Sequence, residues 1–221
     1  MTLYDCRHTP DRAAGLAEAA RTVRAGGLIV LPTDTVYGIG GDAFDAAAVR
    51  ALLAAKGRGR AMPPPVLVGS PDALADLAPE APAVARSLAE RFWPGGLTLV
   101  VRHAPGLDWD LGDTDGTAGV RMPDHPVALD LLRATGPLAV SSANLHGRPP
   151  AATGTEAVAA FGDSVATYLE AGECPGGVPS TVLSLVGEQP RILRPGAVGT
   201  EALRELLPTL AEHANARELS R

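Results

Sequence analysis

The stretch GGLIVLPTDTVYGIG, residues 26–40, decides the fold class. Two glycines stop whatever helix precedes them. Four apolar residues, Leu28 to Leu31, follow and break at Pro32 into the polar turn Thr33-Asp34-Thr35. A short apolar run bounded by turn signals reads as a buried strand. Upstream, residues 11–25 carry Leu16, Ala19, Ala20 and Val23 at helical spacing, with Asp11 near the start. Gly26 and Gly27 are the stop signal of that helix. Helix, stop, buried strand and polar turn together are the unit from which α/β domains are built. In open sheets of that class, ligands gather beyond the carboxyl ends of strands.

The same alternation continues outward. The patterns predict helices over 45–55, 82–92, 126–135, 155–161 and 200–215. They predict strands over 66–68, 97–102, 118–121, 138–141, 166–170, 181–186 and 191–193, and a surface loop over 106–116. Helices and strands are intermixed, no repeat of 20–50 residues occurs, and no Pro/Ser-rich linker divides the chain. One α/β domain over residues 1–200 is expected, with a closing helix and tail over 201–221.

Composition excludes several classes. The 221 residues are 46% hydrophobic and 20% charged, with no apolar run long enough to span a bilayer. The first residues, Met1 to Asp5, have neither the basic nor the apolar region of a secretory signal. Cys6 and Cys174 are far apart and read as free thiols in a reducing compartment, so a soluble cytoplasmic protein is expected. A net charge of −6 argues against a dedicated nucleic-acid coat, although a local basic groove fits within it. The basic residues are 18 arginines and one lysine, Lys56. Coding bias explains the arginines. A lysine that survives it points to a place where a compact ammonium fits and a planar guanidinium does not.

Polar clusters follow several of the predicted strands: Thr33-Asp34-Thr35, Ser141-Ser142-Ala143-Asn144, Ser180-Thr181 and Arg194-Pro195-Gly196. Each alone reads as turn chemistry. The basic run Lys56-Gly57-Arg58-Gly59-Arg60 has two readings. It is either cations complementing a helix carboxyl end, or a phosphate clamp whose glycines let the backbone approach an anion. Phosphate-loop, dinucleotide and nucleophile-elbow signatures are missing, and the five histidines form no metal pair.

Seven segments, in order, resemble the YrdC/TsaC family. They are residues 32–40 (PTDTVYGIG), 56–58 (KGR), 92–98 (FWPGGLT), 119–123 (GVRMP), 141–144 (SSAN), 179–182 (PSTV) and 193–196 (LRPG). The resemblance implies a twisted mixed α/β sheet with flanking helices around a large, positively lined open cavity. It implies L-threonylcarbamoyladenylate synthase activity, in which L-threonine, bicarbonate and ATP give threonylcarbamoyl-AMP and pyrophosphate. The product then feeds a separate complex that modifies tRNA beside the anticodon.

By the same resemblance, Thr33, Arg121, Ser180 and the main chain at Val140 hold threonine. Lys56, Arg58 and Arg60 hold the phosphates, and Lys56 and Arg58 spread the charge that builds at the α-phosphorus. Thr117, Ser142, Asn144 and Arg194 line the nucleotide side. Magnesium comes with ATP, and no carboxylate cage for a metal is visible. Asp34 reads as a turn residue rather than a base. Gly59 and Met62 stand where relatives carry a proline and a polar residue, and Arg60 is the charge that could replace the latter. The chain is expected to be the short, single-domain form. The competing expectation is a family paralogue without synthase activity, whose cavity binds RNA or serves ribosome maturation.

Overall fold

The structure is a computed structural model that describes residues 1–175 and 177–211. Ten strands form one sheet: β1 Thr2–Asp5, β2 Ile29–Leu31, β3 Gly38–Asp42, β4 Val66–Leu67, β5 Leu97–Arg102, β6 Thr117–Arg121, β7 Leu138–Ser142, β8 Thr167–Glu170, β9 Thr181–Ser184 and β10 Arg191–Arg194. The helices are α1 Thr9–Arg24, α2 Ala46–Ala55, α3 Ala73–Leu77, α4 Ala83–Phe92, α5 Pro126–Thr135, α6 Gly154–Phe161 and α7 Thr200–Arg204. The strand order is β1-β8-β2-β3-β7-β4-β6-β5-β9-β10. Parallel pairs (β1/β8, β8/β2, β4/β6, β5/β9) mix with antiparallel ones. The expected mixed α/β sheet is present.

The run 28–31 shows why the sheet has helices on both faces. Ile29 and Leu31 join a core with Ala19, Val23, Leu131 and Leu132 from α1 and α5. Leu28 and Val30 join the larger core on the other face, with Leu52 of α2 and Leu88 of α4. Side chains alternate along a strand, so a continuous apolar run is what burial on both faces requires.

The helix ends are set locally. The Asp45 carboxylate accepts from the Ala47 and Ala48 amides at the start of α2. His125 Nδ1 accepts from the Val127 amide, and Pro126 opens α5. Gly57, at φ +64°, ends α2. Its amide reaches the Ala54 carbonyl and the Arg58 amide reaches the Leu53 carbonyl, the paired bonds of a Schellman cap. The first glycine of the basic run therefore serves the helix end.

Four elements differ from the sequence expectation. β3, with three glycines, has no strand pattern, yet it lies at the sheet centre. A Cβ on Gly40 would sit 2.4 Å from the Ala139 carbonyl, so close approach of β7 dictates glycine there. β1 and the short α3 were not expected from the pattern. The closing helix expected over 200–215 ends at Arg204, ahead of Pro208, which lacks the amide a helix needs. Residues 212–215 of that expectation lie outside the described residues.

Candidate functional site

The α1/α5 layer covers its face of the sheet only in part. Leu67 and Val140 pack in that core and also line a cavity of about 400 Å³. Beyond them the cavity floor continues on Thr98 and Val100 of β5, Val182 of β9 and Leu193 of β10. In β5 these residues alternate with Leu97, Leu99 and Val101, which face the opposite core. The site therefore lies on a sheet face. It is not confined to strand carboxyl ends, because a mixed sheet directs strand ends both ways. Its size is that of a small-molecule pocket.

Three guanidinium groups line this cavity: Arg58, Arg121 and Arg194. Among the described residues, no carboxylate or histidine lines it. Thr33, Val140, Ser180, Thr117 and Ser142 line it as well, so eight of the expected site residues meet here. Lys56, Arg60 and Asn144 are not brought to the wall.

Arg121, 6% exposed, is held from three sides. Its Nε donates to the Gly95 carbonyl (2.9 Å), Nη1 to Thr35 Oγ1 (2.9 Å) and Nη2 to Asp34 Oδ1 (2.5 Å). The same Asp34 oxygen accepts from the Asp124 amide. Asp34 is thus an orienting partner of Arg121. One N–H on each Nη has no protein partner among the described residues, which leaves a fork suited to a carboxylate. Burial pushes the Arg121 pKa down, and the Asp34 carboxylate opposes that.

A directional chain extends from this arginine. Thr33 Oγ1 donates to the Val36 carbonyl (2.6 Å), so the 3.0 Å contact between the Thr33 and Thr35 hydroxyls must run from Thr35 to Thr33. Thr33 Oγ1 also accepts from the Thr35 and Val36 amides. Its hydroxyl shapes the turn that presents Arg121. Thr35, which the sequence reading left out of the site, touches the arginine directly.

Arg194 donates from Nε and Nη2 to the Ser180 carbonyl, and from Nη2 to Ser180 Oγ at 3.1 Å. Ser180 Oγ lies 2.9 Å from Thr98 Oγ1, a second contact residue not anticipated. Both missed threonines sit inside the quoted segments 32–40 and 92–98, so position within a motif was the available signal. Arg58 donates from Nη1 to Ser141 Oγ (3.0 Å), and its buried Nε has no partner among the described residues. The Val140 amide is engaged by the Pro65 carbonyl, and Thr117 Oγ1 donates to the Thr114 carbonyl. The Val140 amide is thus engaged within the protein.

Lys56 lies directly behind this wall and is 1% exposed. Its Nζ donates to the carbonyls of Ser142 and Asn144 and, at 3.4 Å, to Asn144 Oδ1. Asn144 Oδ1 also accepts from Ser142 Oγ, while its Nδ2 donates to the Leu145 and Arg148 carbonyls. Lysine and asparagine together pin the 142–148 segment. Burial, with the Arg58 charge second, pushes the Lys56 ammonium down to about 7. Arg60 sits outside, bound to Asp110 and Asp113. Among the described residues no group of three His, Cys, Asp or Glu side chains is placed to hold a metal ion. No described helix is long and apolar enough to cross a membrane.

Known proteins resemble this arrangement. A putative threonylcarbamoyl-AMP synthase of Mycobacterium tuberculosis is 53% identical over 92% of this chain and 94% of its own length. The threonylcarbamoyl-AMP synthase of Bacillus subtilis is 37% identical over 87% of this chain, which spans 56% of that longer protein. The crystal structure of Pyrococcus abyssi Sua5 complexed with L-threonine superposes with a TM-score of 0.91 at 34% identity, over 96% of this chain and 63% of that one. Escherichia coli YciO, at 24% identity and a TM-score of 0.79, shares the fold. The model of the Sua5/YciO/YrdC family, described as telomere recombination, matches residues 21–196, and the chain belongs to that family.

Proposed function

We propose that the protein is an L-threonylcarbamoyladenylate synthase that makes threonylcarbamoyl-AMP and pyrophosphate from L-threonine, bicarbonate and ATP. The observation that carries this reading is the set of three arginines on one cavity with N–H groups unengaged among the described residues, Arg121 being backed by the Asp34 carboxylate. Such a wall suits two anionic reactants, a carboxylate at Arg121 and a polyphosphate at Arg58 and Arg194. The similarity to the named synthases, and to a Sua5 structure that holds L-threonine, supports it.

In this reading the free fork of Arg121 grips the threonine carboxylate, and Ser180 closes the amino-acid end. Arg58 meets the phosphates, with Lys56 adding its charge from behind Ser142. Arg194 and Thr117 flank the nucleotide. The neutral threonine amine adds to the carbon of bicarbonate, giving a carbamate and water. A carbamate oxygen then attacks the α-phosphorus, and the bond to the bridging oxygen breaks to release pyrophosphate. Among the described residues the lining offers no carboxylate or histidine to move a proton, so in this reading catalysis rests on positioning, exclusion of water and charge stabilisation. Magnesium would arrive on the phosphates as part of the substrate, shielding their charge.

Residues 1–200 are proposed as the catalytic domain, and residues 212–221 of the closing helix and tail expected over 201–221 lie outside the described residues. Cys6 and Cys174 are unpaired, which fits the cytoplasm. The product would pass to a tRNA-modifying complex, and any direct contact with RNA is expected to be weak.

Pyrophosphate release by the purified protein tests the reading. Release that requires both threonine and bicarbonate is expected. Release independent of either, or none from protein that binds ATP, would overturn it.

The lysine adds a pH signature. A polyphosphate near Arg58 favours charged Lys56 and raises its pKa, so nucleotide binding takes up a proton. Affinity is then highest below about 7, where the ammonium is already charged, and declines as pH rises beyond it. Calorimetric titration between about pH 6.5 and 8.5 is expected to show a severalfold loss of ATP affinity that is weaker in Lys56→Met. An identical slope in that variant would place the titration elsewhere.

A further inference from the structure

Arg60 is an expected phosphate ligand that the fold places outside the cavity, and its surroundings explain why. Its Nη1 and Nη2 donate to the two oxygens of Asp110 at 2.9 and 2.8 Å, and its Nε donates to Asp113 at 3.2 Å. The main chain repeats the link, since the Asp113 amide donates to the Arg60 carbonyl at 2.9 Å. Gly112, at φ +111°, lies so close that a Cβ there would be 2.6 Å from the Arg60 carbonyl oxygen. Arg60 holds Asp110 in its ionised form and lowers its pKa.

The two loops joined in this way both build the cavity wall. From one come Arg58 and Pro63 to Pro65, and from the other Leu111, Thr114 and Thr117. Arg58 is fixed upstream by the Schellman cap. Downstream of it comes Gly59, whose Cβ position faces open space, so no side-chain packing steadies the backbone there. The next attachment is the clasp at Arg60.

We infer that Arg60 is a positioning residue: clasped to Asp110 and Asp113, it holds the 57–65 and 107–116 loops together so that Arg58 and the Leu111–Thr114 wall meet the nucleotide. This rests on the synthase reading. An isolated exposed ion pair contributes little. Here a bidentate pair, a third contact and a main-chain bond act on one joint, and the joint is shared by two walls of the site. The clasp assigns Arg60 a role through other residues, without contact to the phosphates.

The test is a mutant cycle on Arg60→Ala and Asp110→Asn, read in steady-state pyrophosphate release. Each is expected to raise KM for ATP about tenfold, with a smaller change in kcat and no change in KM for threonine. The double variant should be no worse than either single one, since both break the same joint. Exchanging the charges, Arg60→Asp with Asp110→Arg, should recover most of the loss. If Arg60 instead touches phosphate, Asp110→Asn will leave or lower KM for ATP and the exchange will not rescue, which overturns the proposal. Hydrogen exchange separates this from failure of the synthase reading. In Arg60→Ala, exchange should rise in both the 57–65 and 107–116 loops whatever reaction the protein catalyses. A rise in only one of them sinks the clasp.

Discussion

Arg121→Lys is expected to cut kcat/KM for threonine by about a thousandfold while leaving KM for ATP within a few-fold of wild type. The guanidinium uses three N–H groups on Gly95, Thr35 and Asp34 and keeps one on each Nη for a ligand. An ammonium has three donors on one atom. It can satisfy Asp34, but it cannot also bond Thr35 and Gly95 and still present a planar pair. Charge-assisted bonds contribute about 1.5–3 kcal/mol each, so losing a bidentate grip on the threonine carboxylate removes about 4 kcal/mol. At about 1.4 kcal/mol per factor of ten, that is close to a thousandfold. The variant keeps a cation beside Asp34, so the fold should survive. Steady-state kinetics with each substrate varied in turn, beside a thermal melt, checks this. An unchanged KM for threonine in a folded Arg121→Lys protein would remove the carboxylate from this arginine.

Lys56→Met is expected to lower kcat/KM for ATP by about a hundredfold or more, with a smaller effect on stability. The side chain is 1% exposed and serves three acceptors on Ser142 and Asn144. Methionine fills nearly the same volume, so no large cavity opens. Unbonded buried carbonyls cost about 1–3 kcal/mol each, but removing a desolvated ammonium offsets part of that. What does not recover is the charge behind the phosphates and the anchor on the 142–148 segment. Lys56→Arg is the informative companion. The lysine is enclosed, 1% exposed, with its Nζ already on three acceptors, so a bulkier guanidinium there is expected to overpack, at about 1–3 kcal/mol. Arginine should therefore fail in both stability and turnover, although it keeps the charge. Thermal unfolding and pyrophosphate release on both variants decide the matter, and full activity in Lys56→Met would end any role for this lysine in turnover.

The elements that read well from sequence are those whose pattern reports burial. The run 28–31 announced a buried strand because every residue in it is apolar, and its residues alternate between two cores. β3 was invisible because its glycines answer to the Ala139 backbone rather than to a core, and no periodicity records a backbone contact. At the site, residue types were legible and depth was not. Lys56 stood out by its rarity, but nothing in KGRGR separates a lysine behind the wall from an arginine on it or an arginine outside it. That ordering depends on the Schellman cap at Gly57 and on carboxylates 50 residues downstream of Arg60. Asp34 was read as a turn residue, and it does accept from the backbone at Asp124. Its charged partner, Arg121, lies 87 positions along the chain. Long-range pairing of this kind leaves no local mark.

The sheet order also bears on how the chain is made. β2 lies between β3, which follows it closely, and β8, whose residues 167–170 emerge far later; among the described residues β1 pairs only with β8. On the ribosome, at about 5–20 residues per second, one edge of β2 and the whole of β1 wait roughly ten seconds for their partner. During that wait an apolar strand with unpaired backbone groups is open to other chains. Helix α1 precedes β2 in the chain and packs on one face of it, so it can cover the apolar side chains of Ile29 and Leu31 during that wait, while the backbone edge that β8 later pairs stays open.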